Sequence, residues 1–389
     1  MTPIIFGQHD EKTIKQIQTC LDTSGEYAVL CADGHYGYNM PIGGVVAYKN
    51  KVSVSGVGFD KCCGNMAILT DASLTDVQGS METIMDDVAS SISFGVGRKN
   101  NTPIDHELFQ DPLWQETPYK DWIKDARAQL GTVGSGNHYV DIFADEQNRI
   151  WVGVHFGSRG LGHKSATHFL KLGNAQHAME APPCVLSLED QIGQDYLRAL
   201  ELCGKYAYAG REYVARHVVK NILKANIVEE IHNHHNCAWK ETHFGEEYYV
   251  VRKGATPAFP NQKGFVGGSM GDNAVIIEGV DSDISRKALY STVHGAGRIM
   301  SRTAAKGRTI KENGKLLRQP GLVRHDEMMK WIHDKGIVLR GSDLDEAPQA
   351  YRRLDEVLKF HEGTINILHT LRPLGVVMAG KDIKDPYKD

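Results

Sequence analysis

The chain has 389 residues, 41% of them apolar and 24% charged. That is the composition of a globular protein with sequence enough for a sizeable core, which excludes a fibrous or disordered chain. A formal net charge of −4 excludes a global field that would draw the protein to nucleic acid or an anionic membrane, so any such contact must be local.

In chain order, Glu26–Asp33 (EYAVLCAD) and Lys51–Asp60 (KVSVSGVGFD) read as strands, with Lys49-Asn50-Lys51 as a hairpin turn and the Gly-rich PIGGV between them. Ile150–His155 follows as a strand. Helical periodicity then runs from Ser187 to Asn226, placing Tyr196, Leu197, Leu200 and Cys203 on one stripe after a start signal at Ser187. Strands return at Glu247–Arg252 and Ala274–Val280. Without a regular βαβ rhythm, this interleaving predicts an α+β layered fold of mixed sheets with surrounding helices, residues 1–389 forming a single domain. No stretch approaches the roughly 18 apolar residues of a membrane span. The start MTPIIFGQHDEKT lacks the features of a signal peptide, which leads us to expect a cytoplasmic protein. Seven cysteines, two of them adjacent at Cys62 and Cys63, suit reduced thiols better than a disulfide framework.

Glycines gather in six polar loops: ADGHYGYNMPIGG, GVGFDKCCGN, GTVGSGNH, HFGSRGLGH, GFVGGSMGDN and HGAGR. A Gly cluster alone is usually a turn. Several of these carry a histidine, cysteine or carboxylate beside the glycines, which turns do not require. Asp60, Cys63, His138, His155 and His235 are candidate metal ligands. Thiolate, imidazole and carboxylate together suit a borderline divalent ion such as Mn²⁺, Zn²⁺ or Fe²⁺. Their spacing is not that of a structural zinc site, so the alternative is a catalytic centre assembled from several loops. Any one of these histidines by itself reads more readily as a hydrogen-bonded core or surface residue, and Cys62 reads as packing.

His294 stands apart, at the mouth of HGAGR. Backbone N–H groups at Gly295 and Gly297, the start of a helix beyond them and the charge of Arg298 would suit a phosphate. A neutral imidazole there can attack phosphorus; a histidine capping a helix is the competing reading. From Arg298 to Arg318 seven basic residues (Arg298, Arg302, Lys306, Arg308, Lys311, Lys315 and Arg318) face only Glu312. Such a stripe can track phosphates or simply be a solvated face.

Taken together, DGHYGYNMPIGGV, GVGFDKCCG, GTVGSGNHYVDI, VHFGSRGLGH, HHNCAWKE, RKGATPA, GGSMG, STVHGAGRIMSR, DEAPQAY and RPLGVV resemble the RtcB-type RNA-splicing ligases. The resemblance implies an enzyme that joins RNA 3′-phosphate or 2′,3′-cyclic phosphate ends to 5′-hydroxyl ends, in RNA repair or tRNA splicing, using GTP and two Mn²⁺ ions. It assigns the metals to Asp60, Cys63, His138, His155 and His235, with the thiolate bridging, and the covalently guanylated nucleophile to His294. Asp33, in the DGH motif, is the candidate for fixing the His294 tautomer. Guanosine contacts fall on Asn137, Asp141, Asn236, Gly268, Ser269, Met270, Gly295, Ala296, Gly297 and Tyr351, with Arg159, Arg298 and Arg302 as contacts to phosphate or RNA. The partners implied are RNA with broken ends, GTP and an archease-type activator, with no membrane. Three details depart from the family pattern: Asp141 stands for a glutamate, GGSMGDNA for PGSMGTAS, and Met378 for a lysine, with Lys381 the next cation along. The alternatives are a metal-dependent phosphodiesterase or nuclease, in which His294 only binds phosphate, and a non-catalytic RNA-binding relative.

Overall fold

The computed structural model describes residues 1–176, 178–312 and 315–381, with residues 310–312 and 315–318 as backbone only. Along the chain, β1 (Ile4–Ile5), β2 (Tyr27–His35), β3 (Ile42–Tyr48) and a short β4 (Lys51–Ser53) precede β5 (Gly64–Ser73), β6 (Tyr139–Ala144), β7 (Arg149–Phe156) and β8 (Val185–Ser187). Past a helix spanning Gln191–His217 come β9 (Ile227–His234), β10 (Asn236–His243), β11 (Glu246–Lys253), β12 (Ala255–Pro257), β13 (Lys263–Val266) and β14 (Ala274–Gly279). The last are β15 (Ser291–Val293), the paired β16 (Gly307–Glu312) and β17 (Lys315–Pro320), β18 (Val338–Ser342) and the long β19 (Ile365–Gly380).

The architecture is the expected α+β mixture. One sheet runs β13-β14-β19-β6-β7-β5-β9 with β18 added alongside β19, and a second runs β1-β2-β3-β11-β10. Pairing in the larger sheet is antiparallel except between β18 and β19. Both of its faces are covered, which explains why its central strands are apolar at nearly every position. One face buries Val140, Ile142, Val152 and Val154 against Ile84, Met85 and Val88 of the helix Met81–Ser91 and Val214, Ala215 and Val218 from the long helix. The other buries Tyr139, Phe143 and Trp151 with Phe265, Ile276 and Val376. No helix among the described residues is long and apolar enough to cross a membrane.

Several sequence expectations are corrected. Lys51–Asp60 is not one strand: β4 stops at Ser53, whose side chain accepts from the Gly56 N–H and caps a one-turn helix, Val54–Val57. Nor does Lys49-Asn50-Lys51 close a hairpin, since β4 pairs with β8 while β3 pairs with β2 and β11. Tertiary partners outbid the local turn. Helix starts are displaced too. Ser187 ends β8, and the long helix begins at Gln191, capped by Asp190 and continued past His217 by a five-residue π turn, Val218–Ile222. Its predicted stripe is otherwise as expected, with Tyr196, Leu200 and Cys203 buried and Leu197 packed at the edge. All seven cysteines are free and buried.

Candidate active site

The candidate ligands converge because β5 lies between β7 and β9. Gly64, the first residue of β5, faces Phe156 on one side and His234 on the other. Cys63 therefore sits beside His155 at the end of β7 and His235 just past β9. The Cys63 carbonyl accepts from the His235 N–H at 2.8 Å. In the next strand Tyr139 faces His155, which delivers His138 to the same edge. Gly64 is required there: a Cβ on it would lie 2.2 Å from the Asn233 carbonyl oxygen. Five residues from four loops thus meet although up to 175 positions separate the segments, Cys62 and Cys237 themselves approaching to 3.5 Å between sulfurs.

Two groups of ligand-capable atoms share Cys63: Cys63 with His155 and His235, and Asp60 with Cys63 and His138. The Cys63 sulfur lies 3.2 Å from His155 Nε2 and 3.6 Å from His138 Nε2, and Asp60 Oδ2 lies 2.9 Å from His138 Nε2. Burial pushes His155 and His235 well below the ordinary imidazole range, with neighbouring histidines adding to the effect, so both are neutral with lone pairs available. Burial likewise raises the Cys63 thiol, helped by Asp60, while burial of Asp60 is overcome by His138, which holds that carboxylate ionised. A buried thiol packed against neutral imidazoles and a carboxylate is a donor set that fits borderline divalent ions. Burial of this kind disfavours the thiolate until a cation is present.

His294 faces this cluster, its ring 4.9 Å from that of His235. Its Nδ1 lies 2.6 Å from Oδ2 of Asp33, which is fully buried. Burial would raise the Asp33 carboxyl, but the charge and hydrogen bonds of His294 hold it below the usual carboxylate range. An ionised oxygen at that distance requires the proton on Nδ1, so in the neutral ring Nε2 is the nitrogen that carries the lone pair. The loop differs from expectation in two respects. The His294 and Gly295 N–H groups, at 3.0 and 3.3 Å, are spent on Asp33 Oδ2, so the anion held by this turn is a protein carboxylate. No helix opens at HGAGR either: the short helix is Arg302–Lys306, capped by Ser301. Gly297 remains indispensable, with φ of +75° and room for no Cβ against the Asp33 carbonyl, which would lie at 2.2 Å.

Metal-capable and nucleotide-binding candidates share one cavity of about 1100 Å³. Asp60, Cys63, His155, His235 and His294 line it, as do Asn137, Asp141, Asn236, Gly268, Ser269, Met270, Gly295, Ala296, Gly297, Tyr351, Arg298 and Arg302. Asn236 is structurally occupied, accepting from the Gly254 N–H at 2.6 Å and donating to the Asp60 carbonyl at 3.2 Å. Asp141 is different: burial pushes its carboxyl well up, and Oδ1 has no hydrogen-bond partner among the described residues. Met378 lies across the same wall, where β19 pairs its Val376 with Asp141 and Met378 with Tyr139. Lys381 is exposed beyond the strand and does not line the cavity. The departure at GGSMGDNA has a structural role. Asp272 accepts from Ser269 Oγ at 2.7 Å, from Arg353 at 2.6 Å and from Lys335 at 3.0 Å, tying the Gly268–Met270 loop to neighbouring cations.

The basic residues divide. Arg298 Nη1 donates to the Tyr351 hydroxyl at 2.9 Å, and Glu346 neighbours both groups, but Nη2 is buried without a hydrogen-bond partner among the described residues. Arg302 pairs with Asp345 and Glu346, and Lys306 with Asp343. Three of the seven residues of the expected stripe are therefore paired with Asp343, just before DEAPQAY, or with the Asp345 and Glu346 that open it, a motif the sequence reading quoted only for its tyrosine. The side chains of Lys311, Lys315 and Arg318 lie outside the described residues. Arg159 does not line this cavity; it bonds the Gly95 carbonyl at 2.9 Å and Thr132 Oγ1 at 3.3 Å. Sequence reasoning also missed Arg211, discussed below; a lone arginine inside an apolar helix stripe was its one signal.

Fold and cavity define an α+β enzyme class, in which a cluster able to hold metal faces a histidine oriented by a buried carboxylate. The chain belongs to the RtcB family, described as tRNA-splicing ligase RtcB, whose match covers residues 16–379. Among relatives, the RNA-splicing ligase RtcB of Escherichia coli (strain K12) is 29% identical over 89% of this chain and 88% of its own length. The tRNA-splicing ligase RtcB of Thermococcus kodakarensis is 28% identical over 96% and 92%, and that of Nanoarchaeum equitans 27% over 96% and 93%.

Proposed function

We propose that this protein is a GTP- and Mn²⁺-dependent RNA ligase that joins 3′-phosphate or 2′,3′-cyclic phosphate ends to 5′-hydroxyl ends through a histidine-bound GMP. The observation that carries the reading is His294, held on Nδ1 by a buried ionised Asp33 and standing beside the Cys63-centred cluster in one cavity. Asp60, Cys63, His138, His155 and His235 would hold the ions, with Cys63 common to both ligand groups. Bound there, the ions offset phosphate charge and make an attacking hydroxyl more acidic.

Each protein group has a definable task. Asp33 keeps the proton on Nδ1, so Nε2 attacks the α-phosphorus of GTP, forming a P–N bond and expelling pyrophosphate; Asp33 then balances the positive charge that develops on the ring. The unpaired Nη2 of Arg298 is a fixed donor for a phosphate oxygen. Transfer of GMP to an RNA 3′-phosphate regenerates neutral His294, and attack by a 5′-hydroxyl releases GMP; a cyclic phosphate end is hydrolysed first. Asp141, buried and unsatisfied, is the group to read the guanine edge, with the Ser269 loop and Tyr351 closing on the nucleoside. An archease-type activator fits the same reading, with RNA as the substrate partner.

Incubation with GTP labelled at the α-phosphate and Mn²⁺ tests the assignment. The protein should retain acid-labile label, and His294→Ala should abolish it while leaving Mn²⁺ binding unchanged. Labelled adduct on His294→Ala overturns the nucleophile; no adduct on the parent, with RNA cleaved instead, points to the hydrolase.

A further inference from the structure

Arg211 lies in the long helix with its side chain wholly buried, and among the described residues no carboxylate lies within 4.0 Å of it. Such a charge is normally paired. Here its donors are spent on main chain and imidazoles. Nη1 donates to the Cys62 carbonyl at 3.0 Å and the Phe156 carbonyl at 2.6 Å, and Nε donates to His232 Nε2 at 2.8 Å. Nη2 lies 2.8 Å from His234 Nδ1, which is itself 2.9 Å from the Cys62 carbonyl oxygen.

Three of these partners are chain neighbours of candidate ligands: Cys62 precedes Cys63, Phe156 follows His155, and His234 precedes His235. Cys62 also carries a φ of +56°, a conformation that a residue with a side chain adopts only when its surroundings impose it. The Cys62 N–H donates to the Asn236 carbonyl at 2.7 Å, so this strained turn is gripped at its N–H by the β9–β10 turn and at its carbonyl by Arg211. Tyr208 backs the arrangement, its ring centroid 4.0 Å from that of His232 and 4.2 Å from that of His234.

We propose that Arg211 is a positioning residue for the metal centre, clamping the three chain segments that present Cys63, His155 and His235, and supplying a fixed positive charge behind the bridging thiolate. This rests on the metal-centre reading above. The guanidinium fork is suited to the task because one planar group bonds several acceptors in fixed directions, whereas a lysine amine retains the charge without that geometry.

The test measures Mn²⁺ affinity by calorimetry, and spin coupling of bound Mn²⁺ by electron paramagnetic resonance, on the full-length parent, Arg211→Met and Arg211→Lys. The metal-free fold of each is checked by circular dichroism and melting. Arg211→Met should lose between about 10- and 100-fold in affinity, the range for residues that orient ligands, and lose the signal of a coupled ion pair, with Arg211→Lys falling between. A folded Arg211→Met with parental affinity and coupling overturns the proposal. If that variant does not fold, Arg211→Lys decides: parental affinity on a less stable protein makes the arginine merely structural, and weakened affinity supports the clamp. A parent that binds no Mn²⁺ sinks the metal-centre reading and the clamp with it, whereas a parent that binds while both variants match it sinks only the clamp.

Discussion

Asp141 shows what one side chain can reveal in a protein without its ligand. Its carboxyl is 6% exposed and held well above its ordinary value of 3.8 by burial. The folded group therefore binds its proton more tightly than the unfolded one. Between 3.8 and the raised value unfolding releases a proton, so stability present below pH 3.8 is lost as pH rises toward the folded value. Asp141→Asn removes this loss. The nucleotide-free variant should be more stable than the parent at pH 7, on the order of 1–3 kcal/mol for an unpaired buried polar group, and the difference should vanish at pH 3.5. Urea unfolding at both pH values measures it. The same substitution should depress GTP adduct formation, since a carboxylate that reads N–H donors becomes an amide with half the acceptor capacity. Stability gained with activity lost is the signature of a site group; a loss of both would make Asp141 an ordinary core residue.

At the scale of elements, the Gly268–Met270 loop, proposed to close on the nucleoside, is held by Asp272. Asp272 gathers Ser269, Lys335 and Arg353, and Arg353 in turn lies over the Trp331 ring at 4.3 Å, so the Gly268–Met270 loop is braced against the helix His325–Asp334 and the segment following Tyr351. Asp272→Thr, the residue of the resembling family motif, replaces the carboxylate by a hydroxyl and drops both ion pairs. The KM for GTP should rise by the equivalent of about 1–2 kcal/mol, as expected for charge-assisted hydrogen bonds of limited exposure, while Mn²⁺ affinity stays at the parental value. Adduct-formation kinetics over a GTP series would show it. An unchanged KM would mean that Ser269 is positioned without Asp272.

For the whole molecule, the five candidate ligands come from β7 and from segments flanking β5, β6 and β9 of the larger sheet, so metal binding should be linked to global stability. Ions that bind only the folded chain stabilise it by about 2.7 kcal/mol at one hundred times their dissociation constant. Melting temperature should therefore climb with Mn²⁺ concentration. Cys63→Ser should remove most of the increment, because the shared sulfur belongs to both ligand groups. His294→Ala should retain it. Equal Mn²⁺ responses in parent and Cys63→Ser, followed by scanning calorimetry, would place the ions elsewhere.

The residue types of the site were legible in the sequence: thiol, imidazoles and carboxylates beside glycines state a donor chemistry whatever the fold, and the collinear motifs stated a family. Strand segments such as Ile150–His155 and Ala274–Val280 were legible because β-branched runs bounded by turns leave few alternatives. What is decided only in three dimensions is who meets whom. Lys49-Asn50-Lys51 looks like a hairpin, yet β8 and β11 compete for its flanking strands, and pairing over long separations is invisible to local pattern. HGAGR looks like an anion nest, yet Asp33, 261 positions before His294, occupies the N–H groups of His294 and Gly295. The start of the basic run looks like a phosphate track until Asp343, Asp345 and Glu346 arrive to pair Arg298, Arg302 and Lys306. Local sequence determines the propensity and chemistry of each segment; burial and partner choice depend on the packing of the whole chain, and these set whether a charge is free, a carboxyl is neutral or a histidine is held ready to react.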